Sequence, residues 1–191
     1  MPPPIQPVWN SLEVVKLVVS AITPLSIAII GVYLNKQVKK FEHTQWRNQK
    51  LIEKRLAVYD ELAPLLNDLL CYYTFVGRWK ELRPPDIIKH KREVDKKAHL
   101  AKALVSKLLF HEIMNFLNLC FKTYGGWGVD AKMLTSFEQR KKACGADWDV
   151  AWEDLFIVDS DTTRKQVQES YFKVMEAFAH DLGLLDEQRC T

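Results

Sequence analysis

Leu17 to Leu34 reads LVVSAITPLSIAIIGVYL, eighteen residues without a charge. Val14, Val15 and a Lys16 able to snorkel extend it to about 21 residues, roughly 31 Å of helix. That matches a bilayer hydrocarbon core of about 30 Å. A buried helix of a globular bundle would carry a polar stripe over this length, whereas Ser20, Thr23 and Ser26 are the only polar side chains before Tyr33. A cleaved signal peptide fits poorly. The first eleven residues, MPPPIQPVWNS, hold no Lys or Arg, and Asn35-Lys36-Gln37 follows where a small-residue cleavage site would stand. The stretch reads as a retained span over residues 14–34, preceded by a short extracytoplasmic segment, 1–13.

The formal charge of +3 on 191 residues is unevenly placed. Residues 1–35 sum to zero. Residues 36–55 carry seven Lys or Arg against two Glu, and residues 56–191 carry −2. Positive charge directly after the span places that side in the cytoplasm and the N-terminus outside. Trp9 and Tyr33 stand where interfacial aromatics are expected. The four cysteines, Cys71, Cys120, Cys144 and Cys190, then lie in a reducing compartment, and none makes a CxxC or zinc spacing. They read as buried or incidental thiols.

Inside the span, Pro24 interrupts the backbone ladder, and small residues recur at Ser20, Ala21, Thr23, Ser26, Ala28 and Gly31. Such side chains permit close helix approach, and hydroxyls can bond across an interface or line a narrow aqueous path. Ser20, Thr23, Ser26 and Gly31 are the candidate packing or pore-facing residues, beside the alternative of ordinary membrane-helix composition.

Residues 35–63 form a basic juxtamembrane stalk without Gly or Pro, in which Val38, Phe41, Gln45, Asn48, Ile52, Arg55 or Leu56, Tyr59 and Leu62 or Ala63 follow a 3–4 spacing. Three readings compete for its charge. Lys36, Lys39, Lys40 and Arg47 can meet anionic lipid, at about 1 kcal/mol per residue. Nucleic acid would want stacking aromatics among the cations, and Trp46 alone qualifies. In an oligomer the same charge would line a basic vestibule, with Gln45 and Asn48 as polar seam residues that set register.

Residues 64–191 read as an α-helical cytoplasmic bundle, giving an all-α fold. A helix from Pro64 or Leu65 to Lys80 would bury Leu65, Leu66, Leu69, Leu70, Tyr73 and Val76. After Arg83-Pro84-Pro85, Asp86 is the expected N-cap of a helix over 87–97 or on to Val105. Ser106 caps a helix to Tyr124 with Leu108, Leu109, Ile113, Phe116, Leu117 and Cys120 or Phe121 inward. Gly125-Gly126-Trp127-Gly128 stops it, with Trp127 as a packing aromatic. Short helices follow at 136–143 and 149–156, and Asp161 or Thr162 caps a last amphipathic helix to Leu182. No stretch alternates with period two, so no strand is expected.

Motif chemistry is sparse. The five histidines form no HExxH, GGWG lacks the Lys-Ser/Thr of a phosphate loop, and no GxSxG occurs. No metal or cofactor is expected. Arg83-x6-His90 and Arg92-x6-His99 match the loose spacing of the HEPN family of helical ribonucleases. There His assists 2′-hydroxyl attack and Arg stabilises the phosphorane across two protomers. Pro84 and Glu93 stand where that family places a polar residue. The opposing reading is a solvated basic helix carrying Lys89, Lys91, Arg92, Lys96 and Lys97.

In layout the chain resembles the small single-span helical membrane proteins of bacterial antiphage systems, including the accessory of type VI CRISPR effectors. The likeness rests on the span, the basic stalk and a helical domain of about 130 residues. It implies a ring of protomers in the bacterial inner membrane, a HEPN-like helical domain in the cytoplasm and a non-enzymatic effect on membrane permeability. The other expectations are a monomeric tether recruiting a cytoplasmic protein, and a degenerate HEPN ribonuclease. Expected partners are the lipid bilayer, further copies of the chain and a cytoplasmic protein. The −2 charge of residues 56–191 argues against nucleic acid.

Overall fold

The computed structural model describes residues 11–123 and 126–185. The expectations placed on Trp9, Tyr124, Gly125 and Cys190 lie outside the described residues, as does most of the segment 1–13. The fold is all-α, about three quarters helical, with one long apolar N-terminal helix followed by shorter ones. The chain divides into two units, Met1–Lys50 and Leu51–Thr191.

Helix α1 runs from Ser11 to Thr74 and contains one window long and apolar enough to cross a membrane. In the first unit every described residue, 11–50, is exposed, and the large apolar side chains from Val14 to Leu34 are 45–66% exposed. Ser20, Thr23 and Ser26 turn their hydroxyls back on the helix, donating to the carbonyl oxygens of Leu17, Val19 and Ile22 at 2.8–2.9 Å. That bond satisfies a hydroxyl without water or a partner helix.

In the second unit, residues 51–74 of α1 are joined by α2 (Pro84–Ala101), α3 (Lys107–Cys120), α4 (Glu138–Cys144) and α5 (Arg164–Asp181). Two 3₁₀ segments, Gly145–Asp147 and Val150–Leu155, lie between α4 and α5. The core joins Leu62, Leu66, Leu69 and Tyr73 to Ile87 and Val94 of α2 and to Leu109, Ile113, Phe116 and Leu117 of α3. Val167, Val174 and Phe178 of α5 close it. Helix α3 packs chiefly along α5, and Phe116 meets Tyr171 edge to face.

Local chemistry accounts for the helix ends. Ser106 caps α3 as expected, its hydroxyl accepting the Leu109 N–H at 3.0 Å. Thr163, not Asp161 or Thr162, caps α5, where a reciprocal box with Gln166 satisfies two orphan donors. Asp86 sits at the third helical position of α2 and accepts the Arg83 N–H at 3.2 Å. Pro84 and Pro85 occupy the first two positions, where a missing N–H costs nothing, so α2 begins earlier than expected. Pro64 does not open a second helix; α1 passes through it and stops at Thr74.

Several inward assignments change. Leu108 (53% exposed) and Val76 (52%) face outward, and Trp127 is 97% exposed rather than packed. Lys91, expected on a solvated face, is 4% exposed and held by Asp95 one turn away at 2.6 Å. A small antiparallel pair, β1 (Phe121–Lys122) and β2 (Lys132–Met133), also forms. Two residues per strand are too few to leave a period-two signal.

Candidate functional site

The helical register of the first unit gathers several expected site residues. At 100° per residue, Ser20, Thr23, Pro24 and Gly31 fall within an arc of about 100°, with Ser26 about 60° beyond its edge. Val38, Phe41, Gln45 and Asn48 occupy an arc of about 80° on that same side. Lys36, Lys39, Lys40 and Arg47 share a face roughly opposite. Ser20, Pro24, Ile27, Gly31, Leu34, Val38, Phe41, Gln45 and Asn48 are spaced alternately four and three apart, and all are exposed. That alternation is the repeat that lets helices supercoil. The exposed stripe at this spacing thus begins at Ser20, inside the apolar window of α1, and runs on without a break to Asn48. Nothing lies within 4 Å of the position a Cβ on Gly31 would take.

The Arg/His pairs are not assembled within the chain. Arg92 is ion-paired with Asp130, which holds that carboxyl below its usual range and raises the guanidinium. His90 Nδ1 lies buried 3.7 Å from the Asp68 carboxylate. His99 turns Nδ1 to the Asp95 carbonyl oxygen at 2.8 Å, so that nitrogen carries the proton, and it sets its ring edge-on to Phe110. Arg83 is exposed just ahead of α2. Among the described residues no three His, Cys, Asp or Glu side chains gather as a metal-binding group.

The densest chemistry lies elsewhere, around Arg140. This side chain is 4% exposed, and its guanidinium carbon stands 4.2 Å from the Tyr72 ring centroid and 4.4 Å from that of Phe75. One terminal nitrogen donates to the Tyr72 carbonyl oxygen at 2.6 Å; the other reaches the Ser136 carbonyl oxygen and, at 3.4 Å, the Thr135 hydroxyl. No carboxylate pairs with it among the described residues. Burial lowers its pKa and pushes the neighbouring Tyr72 hydroxyl up, partly offset there by the Arg140 charge. Tyr72, Trp79, Arg83, Arg140, Trp148 and Trp152 line a cavity of about 290 Å³.

The sequence reading missed this cluster because its members come from the end of α1, the following turn, α4 and a 3₁₀ segment. The available signal was three tryptophans, Trp79, Trp148 and Trp152, to which the sequence assigns no packing role. Compared with protein-family profiles, curated proteins and solved structures, the chain matches none.

Proposed function

We propose that this chain is a single-pass protein of the bacterial inner membrane, N-terminus out, that self-associates through α1 and alters membrane permeability in an antiphage or stress response. The observation that carries the reading is the exposed seam from Ser20 to Asn48, nine positions at heptad spacing with the cations on the opposite face. Copies joined along that seam bury Gly31 and Ser20 against one another and keep Lys36, Lys39, Lys40 and Arg47 toward lipid headgroups. Gln45 and Asn48, amides at seam positions, set register at some cost in stability.

Detergent-solubilised mass tests the assembly. The expected result is a multiple of the 22.2 kDa chain. Replacing Ser20, Thr23 and Gly31 with Leu is expected to return a monomer and abolish depolarisation on overexpression. Depolarisation that persists in that variant sinks the permeability reading.

A second reading, a monomeric tether for a cytoplasmic partner, is favoured by the back-bonded hydroxyls of Ser20, Thr23 and Ser26, which need neither channel water nor a neighbouring helix. A clean monomer of the native chain in detergent selects it.

A further inference from the structure

We propose that the cavity lined by Tyr72, Trp79, Arg83, Arg140, Trp148 and Trp152 binds a small anion that carries a planar aromatic ring system. The site lies wholly within the Leu51–Thr191 unit, so it stands whether or not the chain self-associates.

The first argument is an imbalance of hydrogen bonds. Tyr72 Oη, Arg140 Nε and Trp148 Nε1 are buried without a partner among the described residues, and all three residues line this one cavity. Tyr72 and Arg140 are 1% and 4% exposed. A buried polar group left unmet is destabilising, and sites that bear such groups bind the molecule that meets them. Arg140 Nε and Trp148 Nε1 can only donate, and the Tyr72 hydroxyl can donate, so the complementary molecule presents acceptors.

Charge narrows the class. The Arg140 guanidinium, always protonated, is bonded to two carbonyl oxygens and a hydroxyl but, among the described residues, to no carboxylate. Around the cavity Lys80, Arg83 and Arg140 outnumber Glu81 and Asp147 by one positive charge. An oxyanion would meet both the charge and the donors in a planar, bidentate manner.

Shape narrows it again. Trp148 meets Trp152 edge to face at 5.4 Å, and Trp79 meets Phe75 likewise at 5.0 Å, so the walls are aromatic faces and edges. A volume of about 290 Å³ is at the small end for ligand pockets and fits one or two rings with their oxyanion. A free aromatic acid and a nucleoside monophosphate share that chemistry.

The test uses the full chain in detergent micelles, corrected against empty micelles, with isothermal titration calorimetry and thermal unfolding as readouts. The probes are indole-3-acetate and adenosine 5′-monophosphate, with indole-3-ethanol and adenosine as neutral counterparts. Saturable heat of binding with a raised Tm is expected for one anion, at least about tenfold tighter than its neutral counterpart, a difference of roughly 1.4 kcal/mol. Which anion binds separates the two sources.

Tyr72→Phe and Trp148→Phe are each expected to weaken that anion about tenfold. Tyr72→Phe should also leave the ligand-free Tm equal or higher, because it deletes an unmet hydroxyl. Arg83→Gln, on the exposed rim, covers the case in which a buried variant fails to fold, and should weaken the anion while sparing the neutral probe. The proposal is overturned if neither anion binds saturably, if the neutral probes bind as well, or if every folded variant binds the anion like the native chain.

Discussion

The guanidinium of Arg140 lies 4.4 Å from the ring centroid of Phe75, which among the described residues is the one non-glycine with a positive φ, 61°. Phe75 follows the last residue of α1, and the next N–H, from Val76, returns to the Cys71 carbonyl oxygen at 3.2 Å, as in a left-handed helix cap. Glycine is the usual occupant, because a side chain there costs about 1–2 kcal/mol. The ring offsets that cost through Arg140, through Arg164 at 4.4 Å and through Trp79. Each cation–ring contact contributes about 0.5–2 kcal/mol.

Phe75→Gly and Phe75→Leu separate strain from packing. Glycine relieves the backbone and loses the rings, for a net loss of about 1–2 kcal/mol. Leucine keeps the strain and loses the same contacts, for about 2–3 kcal/mol. Denaturant midpoints in the order Phe, Gly, Leu are expected. A Gly variant more stable than native would show that the rings contribute less than the strain.

Arg55 ties three segments of the second unit. Its Nε donates to the Leu104 carbonyl oxygen at 2.8 Å and a terminal nitrogen to that of Asp181 at 2.7 Å, while the Asp181 carboxylate accepts the Ser106 N–H at 2.7 Å. Arg55→Met is expected to cost about 2–4 kcal/mol, since hydrogen bonds to charged groups contribute about 1.5–3 kcal/mol each and the carbonyls lose their donor. The exposed Leu56→Ala should cost under about 1 kcal/mol. Equal denaturant midpoints for the two variants would remove Arg55 from this role.

That contrast shows where sequence periodicity stops. The 3–4 spacing leaves Arg55 and Leu56 equally placed, and only carbonyl oxygens 49 and 126 residues away decide for the arginine. Periodicity likewise turns Leu108 inward beside the buried Leu109, and Val76 too, because it does not see that α1 stops at Thr74 and leaves Val76 in the turn beyond. Local signals fared better. Ser106 is legible as a cap because its bond closes within three residues. The aromatic cavity was illegible for the opposite reason: Tyr72 and Arg140 are 68 residues apart, and a lone arginine among 27 basic residues carries no mark of burial.

The Arg/His spacings predict a negative result. Arg92 and His99 stand two turns apart, about 10 Å along α2, and each is bonded to another group. His90, half-buried, faces the Asp68 carboxylate. Purified protein is expected to leave a single-stranded RNA substrate intact, with His90→Ala and His99→Ala indistinguishable from native. Cleavage lost in either variant would restore ribonuclease chemistry.

Alkaline pH should unfold the second unit cooperatively. Tyr72, Tyr73 and Cys120 are buried, and burial pushes all three pKa values up; that of the Tyr73 hydroxyl, which donates to the Cys120 carbonyl oxygen, is raised well above its usual value. Each group therefore holds its proton in the folded state at a pH where the unfolded chain has lost it. Stability is full below the unfolded values, near 8.5 for Cys and 10 for Tyr, and falls as pH rises through them. The slope grows from about 1.4 kcal/mol per pH unit with Cys120 alone to about 4 once both tyrosines join. Urea midpoints measured from about pH 7.5 to about pH 10.5 should stay flat and then drop steeply. Tyr72→Phe, which deletes a hydroxyl without a partner among the described residues, should match or exceed native stability at neutral pH and lose about a third of the alkaline slope. A native midpoint that does not move by about pH 10.5, or a Tyr72→Phe slope equal to native, would mean that these groups titrate with their unfolded values and that the interior around Arg140 is open to water.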